Sequence, residues 1–217
     1  MEETKAGYGA PPPSPQDTAR RVERSLFFGF DQSVDASGLA IIQAGEQAAD
    51  IGYRSVAVNL SDIAAMGARP RWMTLALTLW DKDEEGVEAF AAGLFEAAAE
   101  HGVSLVGGDT TQGDSVVVTM HVSGEVEEGA AILRSGAKPG DTVYVTGTVG
   151  DAAAGLELLR EGVDEDELVR RFLRPTARIA QGLQMSGRVH SAIDVSDGLV
   201  ADLRKLLDAS GVGAEID

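Results

Sequence analysis

Apolar residues recur at helical spacing between Glu84 and His101, where Val87, Phe90, Ala91, Leu94 and Ala98 share one face and Gly102 supplies a stop. An Ala-rich stretch from Glu46 to Gly67 has mixed helical spacing and ends in Met66-Gly67-Ala68-Arg69-Pro70, which cannot continue a helix. Between and after these helices, Arg71 to Leu79 reads as a strand, and so does Ser115 to Val122 with its β-branched residues. Val103 to Val106 reads as a short buried strand running into Gly107-Gly108-Asp109. Beyond Gly129 the pattern restarts. Asp141 to Thr146 and Ser191 to Asp194 are expected strands, and Val212 to Asp217 begins another. Asp151 to Arg160, Glu165 to Leu173, Thr176 to Gly187 and Leu199 to Ala209 are expected helices, the last with Leu203, Leu206 and Leu207 turned inward. Strands interleaved with helices predict an α/β (α+β) chain in two parts, joined near Glu127 to Ala137.

The start of the chain follows a different pattern. Ala10-Pro11-Pro12-Pro13-Ser14-Pro15 is donor-poor and stiff, and is expected to form an extended tail. Ser14 suits a helix cap with Pro15 at the first helical position, and Ala19, Val22 and Leu26 follow at helical spacing. Leu26, Phe27, Phe28 and Phe30 form a greasy patch expected to serve ordinary core packing, with docking on the rest of the chain or on a partner as the alternative.

Composition narrows the function classes. Over 217 residues, 44% are hydrophobic and 24% charged, a balance that supports a buried core. The formal net charge of −17 disfavours nucleic acid and anionic membrane surfaces as partners. Cysteine is absent, which removes disulfides, thiolate metal sites and thiol nucleophiles. The three histidines, His101, His121 and His190, lie apart in sequence and match no paired metal spacing. Met1-Glu2-Glu3 does not resemble the start of a secretory signal, and no apolar run reaches spanning length, so a cytoplasmic protein is expected.

Four strings could carry chemistry. In Val106 to Thr111, two glycines at a strand end would let the backbone approach a ligand beside the hard oxygen of Asp109; the same residues also suit a tight turn capped by Asp109. In Asn59 to Asp62, the Asp62 carboxylate sits within an apolar segment and needs a partner, either a bound cation or a capped turn. Asp194 and Asp197 flank Ser196 where a strand is expected to run into a helix. That arrangement suits a metal-bridged phosphate at free backbone amides, or equally a Ser196 cap with aspartates on the helix dipole. Arg134 and Lys138 lie in a loop before a strand, where a guanidinium suits a phosphate clamp. Thr146 to Gly155 looks like a phosphate loop but lacks the Lys and Ser or Thr of a Walker A sequence, so Gly147 and Gly150 read as turn and packing residues.

Taken in order, NLSDIAAMGARP, VGGDTT, RSGAKPGDTVYVTGTVGDAAAGL and AIDVSDGL closely resemble the thiamine-monophosphate kinase family of the aminoimidazole ribonucleotide synthetase-like superfamily, from about Glu46 to Asp217. The resemblance implies a two-domain synthetase-like fold, incomplete at both ends. Its parts would be a divergent segment 1–45, an N-terminal ATP/Mg²⁺ and dimerisation domain 46–128, and the first part of a C-terminal domain 129–217. It further implies ATP- and Mg²⁺-dependent phosphorylation of thiamine monophosphate to the diphosphate by a cytoplasmic homodimer. Asp62, Asp109, Asp194 and Asp197 would be the metal ligands, with Gly108, Arg134 and Ser196 contacting ATP. Hard oxygens suit Mg²⁺, and phosphoryl transfer depends chiefly on positioning and charge neutralisation. Residues 1–45 lack the family's Gly-Asp-Asp motif and its Thr-Asp segment ending in His-Phe, and the family's downstream Gly-Gly-Glu-Asp-Tyr stretch does not occur. A non-catalytic nucleotide-binding or dimerising protein of the same superfamily is therefore the alternative expectation.

Overall fold

The computed structural model describes residues 28–30, 48–79 and 84–216. The expected tail and the Ser14 helix lie outside these residues, as do Leu26 and Phe27 of the greasy patch, the Glu46 start of the Ala-rich helix and Asp217. Among the described residues ten elements follow in order: β1 (Phe28–Phe30), α1 (Ala48–Ala65), β2 (Arg69–Leu79), α2 (Glu84–His101), β3 (Ser104–Gln112), β4 (Val117–Glu125), α3 (Asp151–Arg160), α4 (Glu167–Leu173), α5 (Ile179–Met185) and α6 (Leu199–Ser210).

The four strands among the described residues form one sheet in the order β1-β4-β2-β3. β4 runs antiparallel to β1 and β2, whereas β2 and β3 are parallel. A parallel pair cannot be joined by a tight turn, and α2 supplies the crossover between them. On β4 the residues Met120, Val122 and Gly124 alternate with more exposed neighbours, which gives the sheet one buried face. That face meets α1, whose Tyr53, Val56, Ala57, Leu60, Ile63 and Ala64 follow the 3.6-residue period. α2 adds Phe90, Leu94, Ala97 and Ala98, and β2 adds Met73 and Leu77. Full burial of Leu60 or Leu94 contributes about 1.5–3 kcal/mol each, so this helix pair and sheet form the stable body of the chain.

Among the described residues, the regular elements of the second half are all helices, joined by long irregular segments, and this half docks on α1. α5 approaches so closely that a Cβ at Gly182 would meet the Ala64 carbonyl oxygen at 2.1 Å. Arg174, just past α4, donates to Asp50 (2.5 Å) and to Glu96 (2.8 Å) and lies over the Tyr53 ring. Arg54 donates to the Phe172 carbonyl (3.0 Å) and lies over the Phe172 ring. These contacts hold one side of α1 against the second half.

The expected strands Asp141 to Thr146, Ser191 to Asp194 and Val212 onward do not form among the described residues. Their side chains are β-prone, but a strand exists only as part of a ladder, and among the described residues none forms beside them; Ser191–Asp194 has only the single bond from the Ala192 amide to the Leu133 oxygen. Tyr144 is accordingly 87% exposed, with Val143 and Val145 also on the surface. The Gly107-Gly108 pair is likewise not a strand end. β3 continues through it to Gln112, with Gly107 opposite Thr74 and Gly108 opposite Leu75. A shift in register between Met73 and Thr74 leaves Val106 as the extra residue, so the glycines accompany a bulge within the ladder. Gly108 has φ 147°, and a Cβ there would lie 1.8 Å from the Leu75 oxygen, so packing alone demands glycine.

Candidate functional site

Main-chain hydrogen bonds bring three distant strings together. After α1, the Ile132 amide donates to the Met66 oxygen (3.0 Å), which ties the segment leading to Arg134 to the end of the helix that carries Asp62. One residue on, the Leu133 oxygen accepts from the Ala192 amide (3.1 Å), two positions before Asp194. Ser210, at the end of α6, then donates its hydroxyl to the Arg134 oxygen (3.1 Å) and accepts from the Ala137 amide (3.2 Å). The extended segment 131–134 thereby acts as a splint between α1 and the Ala192–Leu199 segment.

The outcome is a half-buried carboxyl pair. Asp62 and Asp194 hydrogen-bond to each other through their side chains, and Ser61 also bonds to Asp194. Burial is the main cause that pushes Asp62 up to about 7, helped by the Asp194 charge and hydrogen bond and opposed by Arg134. Asp194 is also raised, chiefly by burial, while its bonds to Asp62 and Ser61 pull it the other way. Both carboxyls are raised, so the two hold a proton between them and titrate as a pair. Two facing carboxyls that share a proton in this way form a donor set of hard oxygens, and a divalent cation could replace the proton.

The remaining expected site residues are placed differently. Asp109 stands on β3 opposite Ala76, exposed, with one oxygen accepting the Thr110 amide (2.9 Å). Asp197 lies in the loop before α6, where Lys205 donates to its Oδ2 (2.5 Å). Among the described residues, no group of three or more His, Asp or Glu side chains is arranged to hold a metal, so Asp109 and Asp197 do not join Asp62 and Asp194 in one cluster. Ser196 is exposed, but its amide and that of Asp197 are not free as expected: both donate to Asp202 Oδ2, at 2.8 and 2.9 Å. Neither the free-amide reading nor the Ser196 cap holds. The N-cap position of α6 is Gly198, which has no side-chain cap bond.

Asp202 and Lys205 are the residues that sequence reasoning missed. Their signal was legible in retrospect, because Asp202 adjoins Leu203 on the inward stripe of an amphipathic helix, where an unpaired carboxylate would be costly. A hollow of about 830 Å³ opens over this helix start, lined by Val149, Asp197, Gly198, Leu199, Arg204 and Lys205 among others. It brings the Gly-rich Thr146–Gly155 string next to Asp197, although that string carries no phosphate-loop chemistry of its own.

A mixed sheet packed under two helices, followed by a second half whose regular elements are helices, is an architecture shared with known proteins. Residues 21–126 match AIR synthase related protein, N-terminal domain, and residues 138–217 match AIR synthase related protein, C-terminal domain. The chain belongs to this family. The thiamine-monophosphate kinase of Escherichia coli (strain K12) is 50% identical over 175 residues, which make up 78% of this chain and 54% of that protein. The crystal structure of thiamine-monophosphate kinase from Stenotrophomonas maltophilia K279a superposes with a TM-score of 0.78 at 40% identity, covering 86% of this chain and 61% of that one. A structure of AaThiL complexed with AMPPCP and TMP gives a TM-score of 0.74 at 31% identity, covering 86% and 59%. The chain thus spans about half the length of the curated relatives it matches. No helix among the described residues is long and apolar enough to cross a membrane.

Proposed function

We propose that this chain is the ATP- and Mg²⁺-binding core of a thiamine-monophosphate kinase. The reaction transfers the γ-phosphoryl group of ATP to the phosphate of thiamine monophosphate, releasing ADP and thiamine diphosphate. The observation that carries this reading is the Asp62–Asp194 pair, formed by two strings 132 positions apart with Arg134 beside Asp62. Mg²⁺ commonly takes only one or two protein carboxylates and fills its remaining positions with water and phosphate oxygens, so a two-carboxyl site fits it. When bound, the ion supplies neutralisation of the charge on the polyphosphate. Asp62 and Asp194 provide its oxygens, and Asp109 and Asp197 are assigned to further ions carried with the nucleotide. Arg134 offers a planar fork to phosphate oxygens, Ser196 a hydroxyl, and Gly108 a close main-chain approach. The neighbour complexed with AMPPCP and TMP supports a nucleotide and a phosphorylated substrate as what this chain binds. A cytoplasmic homodimer belongs to the same reading, supported by the acidic composition and by the outer edge of β3, which pairs only with β2 among the described residues.

The test is ADP release by the 217-residue chain in a coupled assay with ATP, thiamine monophosphate and Mg²⁺. Release that requires both the acceptor and the metal is the expected result. Calorimetric Mg²⁺·ATP binding without ADP release would instead identify a non-catalytic nucleotide-binding member of the family. Absence of both binding and release would remove the proposal.

A further inference from the structure

Asp202 is 1% exposed and takes no part in the chemistry assigned above. Every bond it makes serves the loop in front of its own helix. Its Oδ2 accepts the Ser196 and Asp197 amides (2.8 and 2.9 Å), and its Oδ1 accepts Lys205 Nζ (2.9 Å). Lys205, one turn further along, also holds Asp197 Oδ2 at 2.5 Å. Gly198 stands at the N-cap position with φ 111° and no side chain to close the turn, so the helix caps its own entry loop from within. A buried carboxylate survives only when its oxygens are bonded, and here the bonds are two main-chain donors and one ammonium. Because those two amides point inward, the Asp197 side chain points outward and is 64% exposed at the rim of the hollow.

We propose that Asp202 is a positioning residue, whose buried carboxylate, bonded to two amides and to Lys205, fixes the Ser196–Asp197 loop and aims the Asp197 side chain at bound Mg²⁺·ATP. This rests on the nucleotide reading for its ligand, while the anchoring itself rests on the geometry alone. Lys205 holds Asp197 in place from one side, and the loop offers the nucleotide side chains rather than amides.

The experiment compares the full chain with D202A and D202N by amide hydrogen exchange and by calorimetry with Mg²⁺·ATP. In D202A the Ser196 and Asp197 amides are expected to exchange at least roughly tenfold faster, while Leu206 and Leu207 in the same helix keep their protection. Mg²⁺·ATP affinity falls with them, also by roughly tenfold, since the loop is no longer held in its binding geometry. D202N keeps an oxygen for the amides but presents no charge to Lys205, so both effects appear at reduced size. If D202A does not fold, the isosteric D202N decides. Unchanged exchange at both amides in a folded variant overturns the anchoring. Faster exchange with unchanged affinity overturns the positioning role and leaves Asp202 a structural residue. If the unsubstituted chain binds no Mg²⁺·ATP, the nucleotide reading falls, and amide exchange still decides whether Asp202 anchors the loop.

Discussion

Asp62 and Asp194 are each explicable only by the other. A carboxyl raised in the folded state binds its proton more tightly there than in the unfolded chain. Asp62 therefore contributes stability that is fully present below its ordinary value of 3.8 and is lost as pH rises through about 7. Thermal melting of the metal-free chain should accordingly fall across that window. Asp62→Asn, which keeps a donor towards Asp194 without a titrating proton, should flatten the fall and leave the variant more stable than the parent above neutrality. Added Mg²⁺ should flatten it in the parent and do nothing in the variant; a melting profile identical in the two proteins would show that the pair does not titrate as described. Arg134 permits a second test. Arg134→Lys keeps the charge but loses the fork, so a bidentate phosphate contact predicts about tenfold weaker Mg²⁺·ATP binding by calorimetry. Equal affinity would reduce Arg134 to a simple counter-charge for Asp62.

Helices were legible in this sequence because each carries its own hydrogen bonds and announces its buried face by periodicity. Glu84 to His101 and Asp151 to Arg160 coincide with α2 and α3, and Leu199 to Ala209 falls one residue short of α6. Strands were legible only where a partner exists. Arg71 to Leu79 and Ser115 to Val122 found β2 and β4 with shifted ends, whereas Asp141 to Thr146 had the composition but no ladder. How elements meet depends on small residues that periodicity does not flag. Gly182 is the case in point, since α5 rests on the Ala64 carbonyl there. Gly182→Ala should cost about 1–3 kcal/mol by forcing α5 off α1, measured as a drop in denaturant midpoint. It should also weaken Mg²⁺·ATP binding, because α1 carries Asp62. A variant as stable as the parent would mean that α5 can shift without strain.

Across the whole molecule, apolar surface is unevenly covered. The first half buries its helices on a sheet but leaves Trp72, Phe95, Val106 and Val117 exposed, and the second leaves Leu133, Val143, Tyr144 and Val145 exposed. With β3 also open on one side among the described residues, the chain is expected to self-associate, and light scattering should report a dimer or larger species at micromolar concentration. A monodisperse monomer would count against it. The net charge of −17 opposes such association at long range, so added salt should favour it. The residue order alone determined the helix stripes, the two-part α/β character and the family strings, because periodicity and local motifs act over a few residues. It also marked Asp62, Asp194 and Arg134 as candidates. That these three converge was decided by tertiary structure, through the Met66–Ile132 and Leu133–Ala192 hydrogen bonds, which join residues more than fifty positions apart. Tertiary structure likewise turned Gly107-Gly108 into part of a ladder and gave the Ser196 and Asp197 amides to Asp202. In each case the deciding partner is a backbone or carboxylate group whose position follows from packing, which no local pattern encodes.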